Sequence, residues 1–428
     1  MLDIQFIREN PEIVQAAAKN KGVGVDINQL LGFDEKRREL IGAADSVRRE
    51  RNELAESTKG QRPNEAQIEK GRQLKERSAD LDHQLTSIEQ QYQTLLKQVP
   101  NIPYDDVPVG NSEEGNVIVK NWGEKPQFDF EPKPHWEMSE YIEQEKAAAI
   151  SGARFAFLQK GMVRLQFALN LFGMDVLTNE ETLNEIITSN KLEVSSKPFE
   201  LLAPPMMMRT EQYDRTSRLK PDDVTFKLAH DDLWLIGSAE HPMSAYFMDE
   251  TLPAETLPVR FLGHSTSFRR EVGSAGKDTR GILRTHHFDK LEMESFSIPE
   301  QSKGEHDLMI AVQEYIMQKL GLPYQVVLKC TFDMGGPNAR GVDIETWMPG
   351  QNAYRETHSA DWLTDYQARG LHTKVQHVDG SKVIAHTNDG TAVTTRVLIA
   401  IMENYQQADG SIRIPEVLQS YMAGKETI

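Results

Sequence analysis

The 428-residue sequence contains one cysteine, Cys330. A single thiol excludes an internal disulfide framework and any cysteine-rich zinc site. Long apolar runs are also missing, and none approaches the ~20 residues needed to cross a bilayer. The first residues, MLDIQFIRENPEIV, carry acidic side chains and lack the apolar core of a secretory signal. A cytoplasmic protein is the simplest expectation. Positive charge is scarce: 48 Lys and Arg face 65 Asp and Glu, a net charge of −17. That balance excludes a protein that coats nucleic acid indiscriminately, because counterion release needs clustered positive charge. A local basic surface could still hold a nucleic-acid partner. No Cys–His pair or nucleophile elbow is present, and the THH run at 285–287 lacks metal-ligand spacing.

What is present is ordinary globular composition, 39% hydrophobic and 26% charged, in a chain long enough for two or three domains. Residues 27–99 stand apart. Leu30, Phe33, Leu40, Ala44, Val47 and Leu54 recur at three- and four-residue steps, with Arg37 and Arg51 in two of the expected apolar slots. Leu74, Leu81, Leu85, Ile88, Tyr92, Leu95 and Val99 follow the same rhythm. Such a heptad seam with a polar exterior predicts an antiparallel coiled-coil hairpin. Between its halves, Gly60 and Pro63 stop one helix and Asn64 caps the next. Each helix of roughly 30 residues would span about 45 Å. A Pro-, Asp- and Gly-rich linker follows at 100–115. The expected division is a helical arm over 1–110 and a second domain over 111–428. The second domain mixes helical runs with alternating strands, an α+β pattern on an antiparallel sheet.

Within it, RREVGSAGKDTRGILRTHHFDKLEMESF (269–296) reads as a charged β-hairpin around a loop containing Gly273, Gly276 and Gly281. With a strand over 282–296, Arg284, His286, Phe288, Lys290 and Glu292 share one face. Phe288 and Glu292 then lie ~13 Å apart, about the length of a nucleotide joined to a small amino acid. Arg269 and Glu271 on the first strand pair a guanidinium suited to phosphate with an acceptor suited to an amine. A solvated strand of cross-strand ion pairs reads equally well from this hairpin alone.

SFRREVGSAGKDTRGILRTHHFDKLE resembles motif 2 of the class II aminoacyl-tRNA synthetases, in the form found in seryl-tRNA synthetases. The resemblance extends over nearly the whole chain. The N-terminal segment and hairpin are similar to that family's tRNA-binding arm, and LIGSAEHP resembles its TAE serine loop. DIETWMPGQNAYRETHSADWLTDYQAR resembles the strand and loop that supply metal and ATP contacts. TRVLIAIMENYQQADGSIRIPEVLQSYM is similar to motif 3 and the C-terminal end. Separated matches in the same order are far more specific than one short motif.

The resemblance implies that ATP and Mg²⁺ are used. Arg269, Glu271, Arg284 and Arg396 would be the catalytic set. Arg269 would hold the α-phosphate, Glu271 and Phe288 the adenine, and Arg396 the other side of the nucleotide. Arg270, Thr357 and His358 would join the ATP site, while Glu356 and Ser359 would ligate Mg²⁺. Ser238, Ala239, Glu240, Glu292, Asn388, Gly390 and Thr391 would surround serine, with Glu292 on its ammonium. Where the family usually reads NGSGLAVGR, this sequence reads NDGTAVTTR at 388–396. A gapless register puts Gly390 at the serine-hydroxyl position, and a one-residue shift puts Thr391 there. ETHS for EISS and QARGL for QARRL are further departures. The implied function is activation of L-serine and its transfer to tRNA(Ser), with tRNA(Sec) a second candidate acceptor. Arg48, Arg49, Arg51, Lys59, Arg62, Lys70, Arg72, Lys75 and Arg77 toward the hairpin tip would meet the tRNA. A homodimer would form near FELLAPPMMMRTEQY, with Pro204 or Pro205 as its marker. Two rival readings are a paralogue that serves a carrier protein or small-molecule pathway, and a non-catalytic tRNA-binding regulator. The intact arm opposes the first. Arg269, Glu271, Phe288, Glu292, Glu356 and Arg396 oppose the second.

Overall fold

The computed structural model describes residues 1–60, 62–219, 224–271 and 280–428. Most of the predicted glycine-rich loop, with Gly273 and Gly276, lies outside the described residues. The chain divides into two compact units, Met1–Ile102 and Pro103–Ile428.

In the first unit, α1 (Ile4–Glu9) and α2 (Pro11–Asn20) precede two long helices, α3 (Ile27–Ser57) and α4 (Glu65–Leu96). Asp26 caps α3 by accepting from the Gln29 amide, and Asn64 and Gln67 form a reciprocal capping box on α4. Leu30, Val47, Leu74, Ile88, Tyr92 and Leu96 are buried along the seam. The expected arginine interruptions are accommodated by polar pairing across the hairpin. Arg37 forms an ion pair with Glu89 and lies 5.1 Å from the Tyr92 ring centroid, and Arg51 donates to Ser78 Oγ at 3.4 Å. Asp34 is buried near the base, where Arg8 donates to it at 2.7 and 2.9 Å. A lone buried carboxylate would cost several kcal/mol, so this fork is what makes the position tolerable.

The second unit is built on an eight-stranded sheet. Its strands are β1 (Val117–Trp122), β2 (Glu200–Leu202), β3 (Val259–Phe268), β4 (His287–Ser297), β5 (Tyr324–Leu328), β6 (Arg340–Met348), β7 (Ala353–Thr364) and β8 (His386–Thr394). Their spatial order is β1-β5-β6-β7-β8-β4-β3-β2. Every pairing is antiparallel except β2 with β3. The mixed fold is therefore α+β with a helical hairpin before an antiparallel sheet, as the sequence pattern implied.

One sheet face is covered by α5 (Gly161–Thr178), α6 (Pro299–Lys319) and α7 (Thr395–Asn404). Leu291 and Met293 of β4, Val393 of β8, Met309 and Val312 of α6 and Leu398 of α7 belong to this core. Burying each such side chain contributes about 1.5–3 kcal/mol relative to exposure. Arg260 of β3 and Glu305 of α6 make two 2.7 Å bonds across the interface, both nearly free of solvent. The opposite sheet face carries a smaller apolar cluster around Phe261 and Phe296 and, beside it, polar side chains.

Candidate active site

Strand alternation sorts the residues of β4 to two faces. Leu291 and Met293 enter the core, while Phe288, Lys290, Glu292 and Glu294 point to the other side. That side carries a cavity of about 190 Å³ lined by Arg269, Glu271, Arg284, Phe288, Lys290, Glu356, Thr357, Ser359, Thr391 and Arg396, among others.

The hairpin differs from its sequence reading at both roots. The expected strand from Ile282 begins only at His287, and the partner ends at Phe268. Gly281, at φ +76°, exchanges two hydrogen bonds with the Gln144 amide, and the Ile282 amide donates to His135 Nε2 at 3.2 Å. These contacts occupy the backbone groups that a ladder would use. A Cβ at position 281 would fall 2.1 Å from His135 Nε2, so only glycine fits. Glu271, three residues past the end of the first strand, is left-handed at φ +51° and so does not share a face with Arg269 by alternation. Arg284 and His286 therefore do not inherit the face of Phe288 by alternation. Arg284 still reaches the cavity and bonds Glu271 Oε2 at 3.1 Å, whereas His286 packs on Phe155.

The guanidinium of Arg269 lies 5.3 Å from the Phe288 ring centroid, and its Nε donates to the Gly237 carbonyl. Arg396, at the start of α7, is held by Glu356 Oε2 at 3.0 Å and by the Glu356 carbonyl. Burial alone would push the Glu356 carboxyl up, but Arg396 and Lys329 outweigh it and hold the group at about 2. The carboxylate is thus ionised at neutral pH. With Ser359 on the same cavity wall it presents two hard oxygens, a donor set that suits Mg²⁺ completed by water and phosphate. Arg270 turns away to Phe226, 5.4 Å from that ring, and His358 is buried against Thr357. Neither lines the cavity.

Next to the cavity, around its lining residue Lys290, lie Ser238, Glu240 and Glu292, all buried. The loop carrying Ser238 and the one-turn helix Glu240–Ser244 approach β3 closely at Gly263, where a Cβ would meet Met243 Sδ at 2.4 Å and Ala239 Cβ at 3.2 Å. Ala239 itself packs into that contact. Lys290 Nζ sits 2.6 Å from Glu292 Oε2 and 3.3 Å from Ser238 Oγ. Burial raises the Glu292 carboxyl to about 7, against the pull of Lys290. Glu240 moves the other way: Arg218 Nε, 3.1 Å from its carboxylate, overcomes burial and holds it well below the usual range.

The register of β8 separates the two alternatives for its middle. Thr391 pairs with Glu292 and lines the cavity, whereas Gly390 pairs with Met293 and faces Met309 on the helix-covered side. Asn388 also faces that side, donating to Ser295 Oγ and the Ser302 carbonyl. The structure therefore brings Thr391 to the site and leaves Asn388 and Gly390 behind the sheet. Sequence reasoning placed Lys290 on the correct face without giving it a role, and it missed Arg218, Thr394 and Thr395. Thr394 and Thr395 line the cavity. Arg218 lies in irregular chain with no periodic signal to mark it.

Comparison with known proteins gives the family. A family model for the seryl-tRNA synthetase N-terminal domain matches residues 1–103, and one for the class II tRNA synthetase core domain (G, H, P, S and T) matches 225–405. The serine–tRNA ligase of Symbiobacterium thermophilum is 37% identical over 430 residues, 98% of each chain. That of Exiguobacterium sibiricum is 37% identical over 439 residues, 100% of each. The seryl-tRNA synthetase of Pyrococcus horikoshii, solved with ATP, superposes with a TM-score of 0.85 at 32% identity, covering 100% of this chain and 99% of that one. With arm, sheet and full-length likeness in accord, the chain belongs to the seryl-tRNA synthetases, the serine–tRNA ligases of class II.

Proposed function

We propose that this site activates L-serine with ATP and transfers the seryl group to tRNA(Ser). The observation that carries the reading is the pairing of Thr391 with Glu292 on one sheet face, directly beside Phe288, Arg269 and Arg396. Glu292 offers a buried carboxylate to the substrate ammonium, and Thr391 offers a hydroxyl partner to the substrate hydroxyl. A carboxylate oxygen of serine attacks the α-phosphorus, the bond to the bridging oxygen breaks, and pyrophosphate leaves. Arg269 and Arg396 stabilise the charge that develops on the α-phosphoryl oxygens. Glu356 and Ser359 would hold Mg²⁺, which neutralises the triphosphate. A terminal hydroxyl of tRNA then attacks the seryl carbonyl and AMP leaves. No protein nucleophile is needed, since positioning and electrostatics carry the reaction.

The arm's Arg48, Arg49, Arg51, Lys59, Arg62, Lys70, Arg72, Lys75 and Arg77 are all exposed, which supports contact with a tRNA backbone. A homodimer is supported by an exposed apolar stripe on α5, Val163, Phe167 and Leu171 at four-residue spacing, together with exposed Leu201, Met206 and Met207. These last residues fall inside the segment that the sequence marks for dimerisation. Among the described residues no helix is long and apolar enough to cross a membrane, and a cytoplasmic enzyme is the reading we adopt. ATP–pyrophosphate exchange with each amino acid tests the proposal: serine should drive exchange far above alanine and threonine. Absence of serine-dependent exchange would reject it.

A further inference from the structure

Next to the residues expected around serine, the same sheet face holds more negative charge than serine needs. Asp361 of β7, Asp389 of β8 and Glu294 of β4 are directly cross-paired, so three carboxylates form one row across adjacent strands on the site face. The neighbouring row carries Glu292, and Glu240 comes in from above. Carboxylate oxygens of Glu240, Glu292 and Asp389 lie within 4.8 Å of one another. Among the described residues, two permanent cations lie within 4 Å of this group. Arg218 contacts Asp389, Glu240 at 3.1 Å and Asp361 at 3.9 Å, and Lys290 contacts Glu292. Lys329 is engaged with Asp343 at 3.3 Å and Asp333 at 3.8 Å and acts on Asp361 from a longer distance.

Among the described residues, five carboxylates therefore face two contacting cations, a surplus of three when all are ionised, with Lys329 acting on Asp361 from further away. The α-ammonium of any amino acid removes one. Glu294 has a second, independent peculiarity: it is fully buried, aimed to the site face by strand alternation, and neither carboxylate oxygen has a hydrogen-bond partner among the described residues. Buried polar groups of this kind are costly unless a ligand or a proton satisfies them. In the free site protonation relieves the strain, since burial and the neighbouring Asp389 push Glu294 well above the usual carboxylate range.

We propose that Asp389 and Glu294 form a second cation subsite, and that the enzyme also activates a small α,β-diamino acid whose side-chain ammonium binds there. The inference rests on the reading that Glu292 takes the α-ammonium. Oxygens of Glu292 and Asp389 lie within 4.8 Å of each other, which matches the short separation of two amines on adjacent carbons, and Glu294 is the cross-strand neighbour of Asp389. A dication suits the cluster less well, because the Arg218 guanidinium already bonds two of its carboxylates, Glu240 and Asp389. The chemistry is unchanged: the substrate carboxylate oxygen bonds to the α-phosphorus, the bond to the bridging oxygen breaks, and pyrophosphate leaves.

The test is ATP–pyrophosphate exchange by the full-length enzyme with L-serine, L-alanine and L-2,3-diaminopropionate. Exchange with diaminopropionate at least tenfold above alanine is expected. The ratio of diaminopropionate to serine exchange should fall at least tenfold in Asp389→Asn and in Glu294→Gln, a comparison that cancels any general loss of folded protein. Serine exchange without diaminopropionate exchange would overturn the inference and leave the serine reading standing. An unchanged ratio in both variants would also overturn it, as would one bound divalent ion per chain in protein purified without added metal. Diaminopropionate exchange without serine exchange would support the subsite and sink the serine reading instead, and failure of both amino acids would sink both.

Discussion

Replacing Thr391 with valine keeps the shape of the side chain and removes its hydroxyl. Thr391 is 2% exposed, so no bulk water can take over the lost partner. If its hydroxyl meets that of serine, the variant leaves a polar group of the bound substrate unpaired in a dry pocket. That costs about 1–3 kcal/mol, or roughly a 5- to 150-fold loss of kcat/KM for serine. Alanine has no hydroxyl to strand, and its kcat/KM should hold or rise. The assay is serine- and alanine-dependent ATP–pyrophosphate exchange on the same preparation. Gly390→Ala is the control. Its new methyl would sit 3.2 Å from Met309 Sδ and 3.3 Å from Met293 Cε, behind the sheet. Overpacking there should lower stability by about 1–3 kcal/mol without changing the serine-to-alanine ratio. A Thr391→Val enzyme that treats both amino acids as the wild type does would refute the reasoning, as would a Gly390→Ala enzyme with altered preference.

Glu356→Ala should impair adenylate formation while tRNA binding persists, and raised Mg²⁺ should restore part of the activity; unchanged exchange at all Mg²⁺ concentrations counts against the metal role. Deleting residues 30–97 should leave serine-dependent exchange largely intact and abolish tRNA charging, whereas equal loss of both makes the arm a folding element. Glu292 titrates at about 7 because of burial, and only its ionised form holds an ammonium. The KM for serine should therefore fall as pH rises through about 7, and Glu292→Gln should bind serine poorly with no such slope in a pH series.

The arm was legible because its information is local. Heptad spacing gives the seam, Gly60 and Pro63 end a helix, and the Asn64–Gln67 capping box starts the next. Alternation likewise put Phe288, Lys290 and Glu292 together, since a strand of period two sorts its own side chains. The limits of that strand were not local. Gln144 and His135, more than 130 residues earlier, take the backbone groups at Gly281 and Ile282 and delay its start to His287. The choice between Gly390 and Thr391 was also beyond one strand's periodicity. It depends on which residue of β8 faces Glu292, and that pairing is set by the β4 and β7 ladders on either side and by the bulge between Thr391 and Val393. The acidic row exists only across strands, because Glu294, Asp361 and Asp389 are far apart in sequence and meet through register. Arg218 joins them from irregular chain, where neither helical nor strand periodicity predicts a neighbour. Local pattern thus determined the elements and the faces they offer, and tertiary pairing alone decided which charges share one buried cluster.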